Sequence, residues 1–390
     1  MTARRQCFGL PAIDKTWLLL AGLSVLGLLL PLLTYAPNRL LTGRGLSVLT
    51  LHDGLAMALI PAAVLLVAAC FAPESPRGLL ARAWWSMWFV ALLLWSAGHE
   101  ASKLAGAEDS LARVSFGSGF WLMSLACLLM ASESLRRLAL PPLRQTLCLA
   151  AGIAPALAVL LTGRLDALSL LKEYQNYQDS FDTALIQHMQ LVLFSLLPAV
   201  AAGTLLGLAA FRWRHWNNWL FGSLNILQTI PSIALFGLLI GPLAWIGKHW
   251  PGSGIAGVGA WPAVVALALY SLLPLARATC AGLQQVPQDV RHAAEGIGMT
   301  RWQIFRRIDL PLALPMFLGG VRVTAVQSIG LAAVSALIGA GGFGAIMFQG
   351  LSGSALDQVL LGVLPVVALA AATDGLFKLA ASRLDRNRHD

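Results

Sequence analysis

Charge is scarce in this chain: 12% of its 390 residues are Asp, Glu, Lys or Arg, against 57% hydrophobic. Soluble domains carry about 25% charged residues, so a wholly water-exposed globular protein is excluded. Paired cysteines are also missing. Cys7, Cys70, Cys127, Cys148 and Cys280 show no paired spacing, which argues against a disulfide framework or a zinc site and reads as small buried hydrophobes. The glycine-rich stretch Gly339–Gly344 lacks the Gly-Lys-Ser/Thr ending of a phosphate loop. It reads as a flexible turn opening an outer loop, and the chain itself is expected to bind no ATP. His99-Glu100 has no second His at metalloprotease spacing, and the scattered histidines form no Ser-His-Asp set, so neither an enzyme nor a metal site is expected. The net charge of +9 comes from Lys and Arg placed between apolar runs rather than in one patch. That placement speaks for topology, not for nucleic acid.

What the chain has in quantity is apolar length. The mean hydropathy is +0.73, and thirteen Trp against four Tyr suit a protein with many interfacial anchors. A helix crossing the hydrocarbon needs about 20 apolar residues. Nearly charge-free runs occur at Trp17–Tyr35, Gly54–Ala72, Ala83–Gly98, Phe116–Ser132 and Thr146–Thr162. Five more occur at Met189–Phe211, Trp219–Gly247, Ile255–Ala281, Leu312–Ala340 and Leu356–Ala381. The expectation is an all-α integral membrane protein of about ten transmembrane helices, bathed in lipid; continuous apolar character excludes an alternating barrel. Basic residues precede Trp17–Tyr35, but that run is longer than a signal-peptide core and reads as the first span.

With the N-terminus inside, nineteen of the 27 Lys and Arg fall on inner segments and seven on outer ones, with Arg322 inside a span. The inner set runs from Arg4 and Arg5 through Arg291 to Arg388, and the outer set includes Arg39. This bias places both termini in the cytoplasm. Residues 1–165 form a first module of five spans, 166–187 an extracytoplasmic connecting segment, and 188–390 a second module.

The segment richest in chemistry is the inner loop 288–311, which carries four Arg and three acids. Val290, Ala293, Ala294 and Ile297 recur at helical spacing, and Gly298 breaks the run. Trp302, Ile304, Phe305 and Ile308 begin a second amphipathic stretch ending at Pro311. Such an ordered hairpin is a docking element, with Gly298 at a turn that a side chain would obstruct.

This loop resembles the coupling motif of ABC importer membrane subunits: Glu-Ala-Ala, three residues, Gly, nine residues, Ile-x-Leu-Pro. Here His292 stands where the motif has Glu, and Glu295 follows one turn later. Ala293, Ala294, Gly298, Ile308, Leu310 and Pro311 keep the spacing, with Arg301 in the turn Gly298–Gln303. Residues 226–241, 298–303, 337–344 and Pro365 to Asp374 are similar to the glycine betaine/carnitine/choline branch, over roughly residues 185–382. The first module resembles one found in a subgroup of osmoprotectant permeases. The resemblance implies a permease core in a bacterial cytoplasmic (inner) membrane that moves a solute such as glycine betaine or choline inward. It implies a separate cytosolic ABC ATPase carrying ATP and Mg, an extracytoplasmic solute-binding protein, and a second permease copy or paralogue.

Gln228, Thr229, Pro231 and Ser232 sit mid-run, where proline frees a carbonyl; this reads either as a broken helix lining the solute path or as a packing kink. Arg322 and Asp374 lie inside neighbouring spans, where charges are costly. They suggest a structural pair or a gate, or else Asp374 pairs with Lys378 while Arg322 snorkels. The competing function is a secondary transporter or channel, which needs ion-coupling carboxylates. A bulky or charged residue at Ala294 should abolish uptake and ATPase stimulation in a transport assay.

Overall fold

The computed structural model describes residues 14–38, 41–51, 54–72, 74–105 and 111–386. Arg4, Arg5, Cys7, Arg39 and Arg388, named above, lie outside them. The chain divides into two units, Met1–Gln175 and Asn176–Asp390.

In the first unit, α1 (Lys15–Leu29) stops short because Pro31 follows. The residue before a proline is pushed out of the helical region, and Leu30 is extended at φ −77° and ψ 160°. The rest of the apolar run Trp17–Tyr35 therefore becomes a strand, β1 (Leu33–Ala36). It pairs antiparallel with β2 (Arg44–Leu46) and β3 (Arg113–Phe116) in the order β2-β1-β3. This small sheet departs from the all-helical expectation. Helices α2 (Gly54–Cys70), α3 (Pro76–Ala105), α4 (Ser118–Arg137) and α5 (Pro142–Leu161) follow, and then the short α6 (Ser169–Asn176). Helix α1 crosses α4 at small residues: a Cβ at Gly119 would meet the Gly27 carbonyl oxygen at 2.6 Å.

The second unit opens with α7 (Gln178–Arg212). The stretch 166–187, read from sequence as a connecting segment, thus holds α6 and the first turns of α7. The apolar run Trp219–Gly247 is split at Pro231 into α8 (Arg214–Thr229) and α9 (Ser232–His249). Then come α10 (Ala260–Gln284), α11 (Gln288–Gly296), α12 (Arg301–Ile304), α13 (Leu310–Val334), α14 (Phe343–Ser352) and α15 (Leu356–Arg386). Helix α10 packs on both α7 and α13. Its approach to α7 is close enough that a Cβ at Gly207 would stand 2.5 Å from the Ala276 carbonyl oxygen.

Among the described residues, eight helices are long and apolar enough to cross a membrane: α3, α4, α5, α7, α9, α10, the continuous stretch Arg301–Ile338, and α15. The apolar helices Lys15–Leu29 and Ala58–Cys70 are shorter. Fifteen residues rise about 22 Å, less than the roughly 30 Å of hydrocarbon.

One network fastens α1, α3 and α4 together. The Asp14 side chain caps α1 by accepting from the Thr16 amide at 2.8 Å. Arg137 of α4 reaches Asp14 at 2.5 Å and Glu133 at 2.7 Å, and also pairs with Glu74. The Trp17 indole donates to Glu74 at 2.9 Å, and its ring lies 4.7 Å from the Arg82 guanidinium and 5.0 Å from that of Arg137. The Thr16 amide, followed by Arg137, holds the Asp14 carboxyl below its usual range. A depressed carboxyl stabilises the fold above the unfolded-chain value, and that contribution is lost as pH falls through the lower folded value. Asp14→Ala should therefore lower the thermal midpoint of the detergent-solubilised protein at pH 7. The gap to the parent should close as the pH drops below about 4.

Candidate functional site

The loop between α10 and α13 is tied together by its own hydrogen bonds. At its first corner, Gly298 is left-handed at φ 85°. The Gly298 amide donates to the Glu295 carbonyl at 3.0 Å, and the Met299 amide donates to that of Ala294 at 3.1 Å. These two bonds are the Schellman closure of a helix end. One residue on, Thr300 caps α12: its hydroxyl accepts from the Gln303 amide at 3.3 Å, and the Gln303 side chain accepts from the Thr300 amide at 2.8 Å. That reciprocal box satisfies two donors that would otherwise be orphaned. The reason for glycine also differs from the one read in the sequence. No atom lies within 4 Å of a Cβ built on Gly298, so the constraint is backbone conformation rather than obstruction.

The second stretch does not end at Pro311. It continues through a π turn, Phe305–Asp309, into α13. The Leu310 amide reaches back to the Phe305 carbonyl, five residues earlier. Proline has no amide to give and crowds the preceding turn. A widened turn there accommodates Pro311 without breaking the helix.

The apolar residues of the loop point two ways. Ala294, 4% exposed, and Ile304 are buried against the protein, and Ile308 is half-buried. Val290, Ala293, Ile297 (80% exposed) and Trp302 (66% exposed) face outward. His292 and Glu295 are exposed too, 3.6 Å apart across one turn, and Arg301, Leu310 and Pro311 are also at the surface. The inward group that the sequence did not single out is Arg291. Its Nε donates to Asp309 Oδ1 at 2.7 Å and its Nη2 to the Leu283 carbonyl at 2.8 Å, and its guanidinium lies 5.3 Å from the Phe211 ring.

At the α8–α9 break, Gln228 donates to the Tyr270 carbonyl at 3.0 Å, and the Tyr270 hydroxyl donates to the carbonyl of Ile230. Thr229 turns back to its own helix, bonding the Ile226 carbonyl at 2.7 Å, and Thr229 and Pro231 are exposed. Ser232 is half-buried. A cavity of about 1040 Å³ lies elsewhere in this unit, between α7 and α10, against Gln187, Phe194, Trp261 and Gly339. Gln228, Thr229, Pro231 and Ser232 do not line it. A lone tyrosine amid an apolar run was the signal that could have found Tyr270.

Arg322 and Asp374 meet: Nε and Oδ1 are 2.5 Å apart, while Lys378 takes Oδ2 at 2.8 Å. One carboxylate thus serves two cations. The glycine stretch is bound rather than loose. Gly339, Gly341 and Gly342 are all left-handed, and the Gly342 amide donates to Gln187 at 2.9 Å just before α14 begins.

A multispan helical bundle with a helix–glycine–helix loop feeding directly into a span is the build of a transport permease. Two family profiles match: "ABC transporter permease YehY, N-terminal domain" over residues 14–171, and "Binding-protein-dependent transport system inner membrane component" over residues 199–386. The osmoprotectant import permease protein OsmW of Salmonella typhimurium is 41% identical over 49% of this chain and 85% of that relative. The glycine betaine/carnitine/choline permease OpuCB of Bacillus subtilis is 34% identical over 48% of this chain and 81% of its own length. A solved MetNI methionine ABC transporter in an inward-facing conformation is 21% identical over 52% of this chain and 97% of that one, with a TM-score of 0.45. The chain belongs to the membrane permease subunits of binding-protein-dependent ABC importers.

Holding a side chain in the left-handed region costs about 1–2 kcal/mol. Gly298→Ala should therefore loosen the corner, read as faster hydrogen exchange at the Met299 amide with the α13 amides unchanged.

Proposed function

We propose that this subunit imports a quaternary-ammonium osmoprotectant of the glycine betaine, choline or carnitine kind by alternating access, driven by ATP hydrolysis on a separate cytosolic ABC ATPase. The observation that carries this reading is the loop. Two helices joined by a Schellman corner and a capping box present Val290, Ala293, Ile297 and Trp302 to a partner. An exposed apolar face on a rigid support is what a docking site needs. The names of the relatives, which transport these solutes, supply the substrate class.

In this reading ATP and Mg are held by the ATPase, an extracytoplasmic binding protein delivers the solute, and a second permease copy or a paralogue completes the pore. The inward bias of Lys and Arg supports an inner-membrane orientation with both termini in the cytoplasm. A carrier driven by protons or sodium is less well supported. The carboxylate it would use, Asp374, is already held between Arg322 and Lys378.

Proteoliposomes containing the permease with its ATPase and binding protein should take up radiolabelled glycine betaine or choline. Uptake should stop without ATP and persist with an uncoupler. Ala294→Glu, which forces a charge into a buried position, should abolish it. Uptake that follows an ion gradient without ATP would sink the proposal.

A further inference from the structure

We propose that Arg291 is the positioning residue through which the docking loop moves the span α13, and that the π turn Phe305–Asp309 is the joint it acts on. This rests on the reading above, in which the loop receives an ATPase.

Arg291 is the inward-turned guanidinium of the loop; Arg301, Arg306 and Arg307 are exposed. It sits on α11, beside the surface offered to the partner, yet its contacts all lie in the bundle. It holds the carbonyl of Leu283 at the end of α10, the carboxylate of Asp309 at the end of the π turn, and the face of Phe211 at the end of α7. Asp309 is 7% exposed, and Arg291 is its ion-pair partner. A guanidinium can serve a carboxylate and a carbonyl together because its donors form a fixed fork, and lysine cannot replace it there. A displacement of α11 is therefore delivered to Asp309 and so to the base of α13.

The joint has somewhere to go. A half-open pocket of about 120 Å³ lies beside the π turn, bordered by Thr204 of α7, Thr279 and Leu283 of α10, Phe305 of the turn, and Ala313 of α13. A π turn carries one residue more than the α ladder needs and is frequent at functional sites. Closing it to α geometry requires the Phe305 side chain or the base of α13 to shift, and the pocket leaves room for that shift. A pocket bordered by Phe305 of the turn leaves room for a second arrangement of the segment, and two discrete arrangements are what a coupling element needs.

The test uses the reconstituted importer and reads solute moved per ATP hydrolysed, alongside recovery of the ATPase with the permease. Arg291→Lys and Asp309→Asn should leave the ATPase bound and lower transport per ATP by roughly tenfold. Ala313→Ile, which occupies the pocket and leaves the ion pair untouched, should do the same. Unchanged transport per ATP in Arg291→Lys or in Ala313→Ile overturns the proposal. Loss of ATPase binding in the Arg291 and Asp309 variants also overturns it, since those residues would then hold the loop's shape and transmit nothing. If the ATPase does not bind the unaltered permease, the docking reading itself has failed, which is a distinguishable result.

Discussion

A backbone carbonyl or amide placed in hydrocarbon has no water to bond, so an interruption of a helix at membrane depth must be repaired by the protein itself. This constraint organises the second unit. Pro231 opens the ladder between α8 and α9, and the Tyr270 hydroxyl returns a donor to the Ile230 carbonyl while Gln228 fixes Tyr270 from the other side. Pro311 threatens the base of α13, and a π turn supplies the slack. Outside the spans the closure is local: the corner at Gly298, on the loop between α10 and α13, uses the helix's own last amides. In the first unit Pro31 is handled differently: the chain leaves the helix altogether and finds its partners in a sheet.

Charges obey the same accounting. Asp374 is shared by Arg322 and Lys378, Asp309 is matched by Arg291, and Arg137 ties Asp14, Glu74 and Glu133 into one network. Breaking such a pair by removing one partner strands the other, which costs far more than the pair contributes when whole. Arg291→Lys keeps a positive charge opposite Asp309, whereas Asp309→Asn removes one charge of the pair and leaves Arg291 without its carboxylate.

The sequence made the helices legible because lipid demands long apolar runs, and all ten runs carry helix in the structure. It made the loop between α10 and α13 legible because Ala294, Gly298, Ile308 and Pro311 stand at fixed separations along a single segment. It was mute where meaning depends on distant pairing. Four residues of β1 are hidden inside an apolar run, and only pairing with Arg44–Leu46 and Arg113–Phe116 makes them a strand. Arg291 looked like one more inner cation until Asp309, eighteen residues away, was found beside it. The break at Pro231 was visible, but Tyr270, forty residues away from Ile230, was not. Proline signals where a ladder fails; it does not say who mends it.

The paired closures on either side of Gly298 have a consequence for how the subunit meets others. A segment that must be ordered on contact gives up conformational entropy at every encounter, and binding is weaker by that amount. Here the corner is ordered before any partner arrives, by bonds among Ala294, Glu295, Gly298, Met299, Thr300 and Gln303 alone. If this face docks the ATPase as proposed, association and release would repeat without refolding the contact surface. In the coupling proposed above, the free energy of each encounter would stay available to do mechanical work on α13.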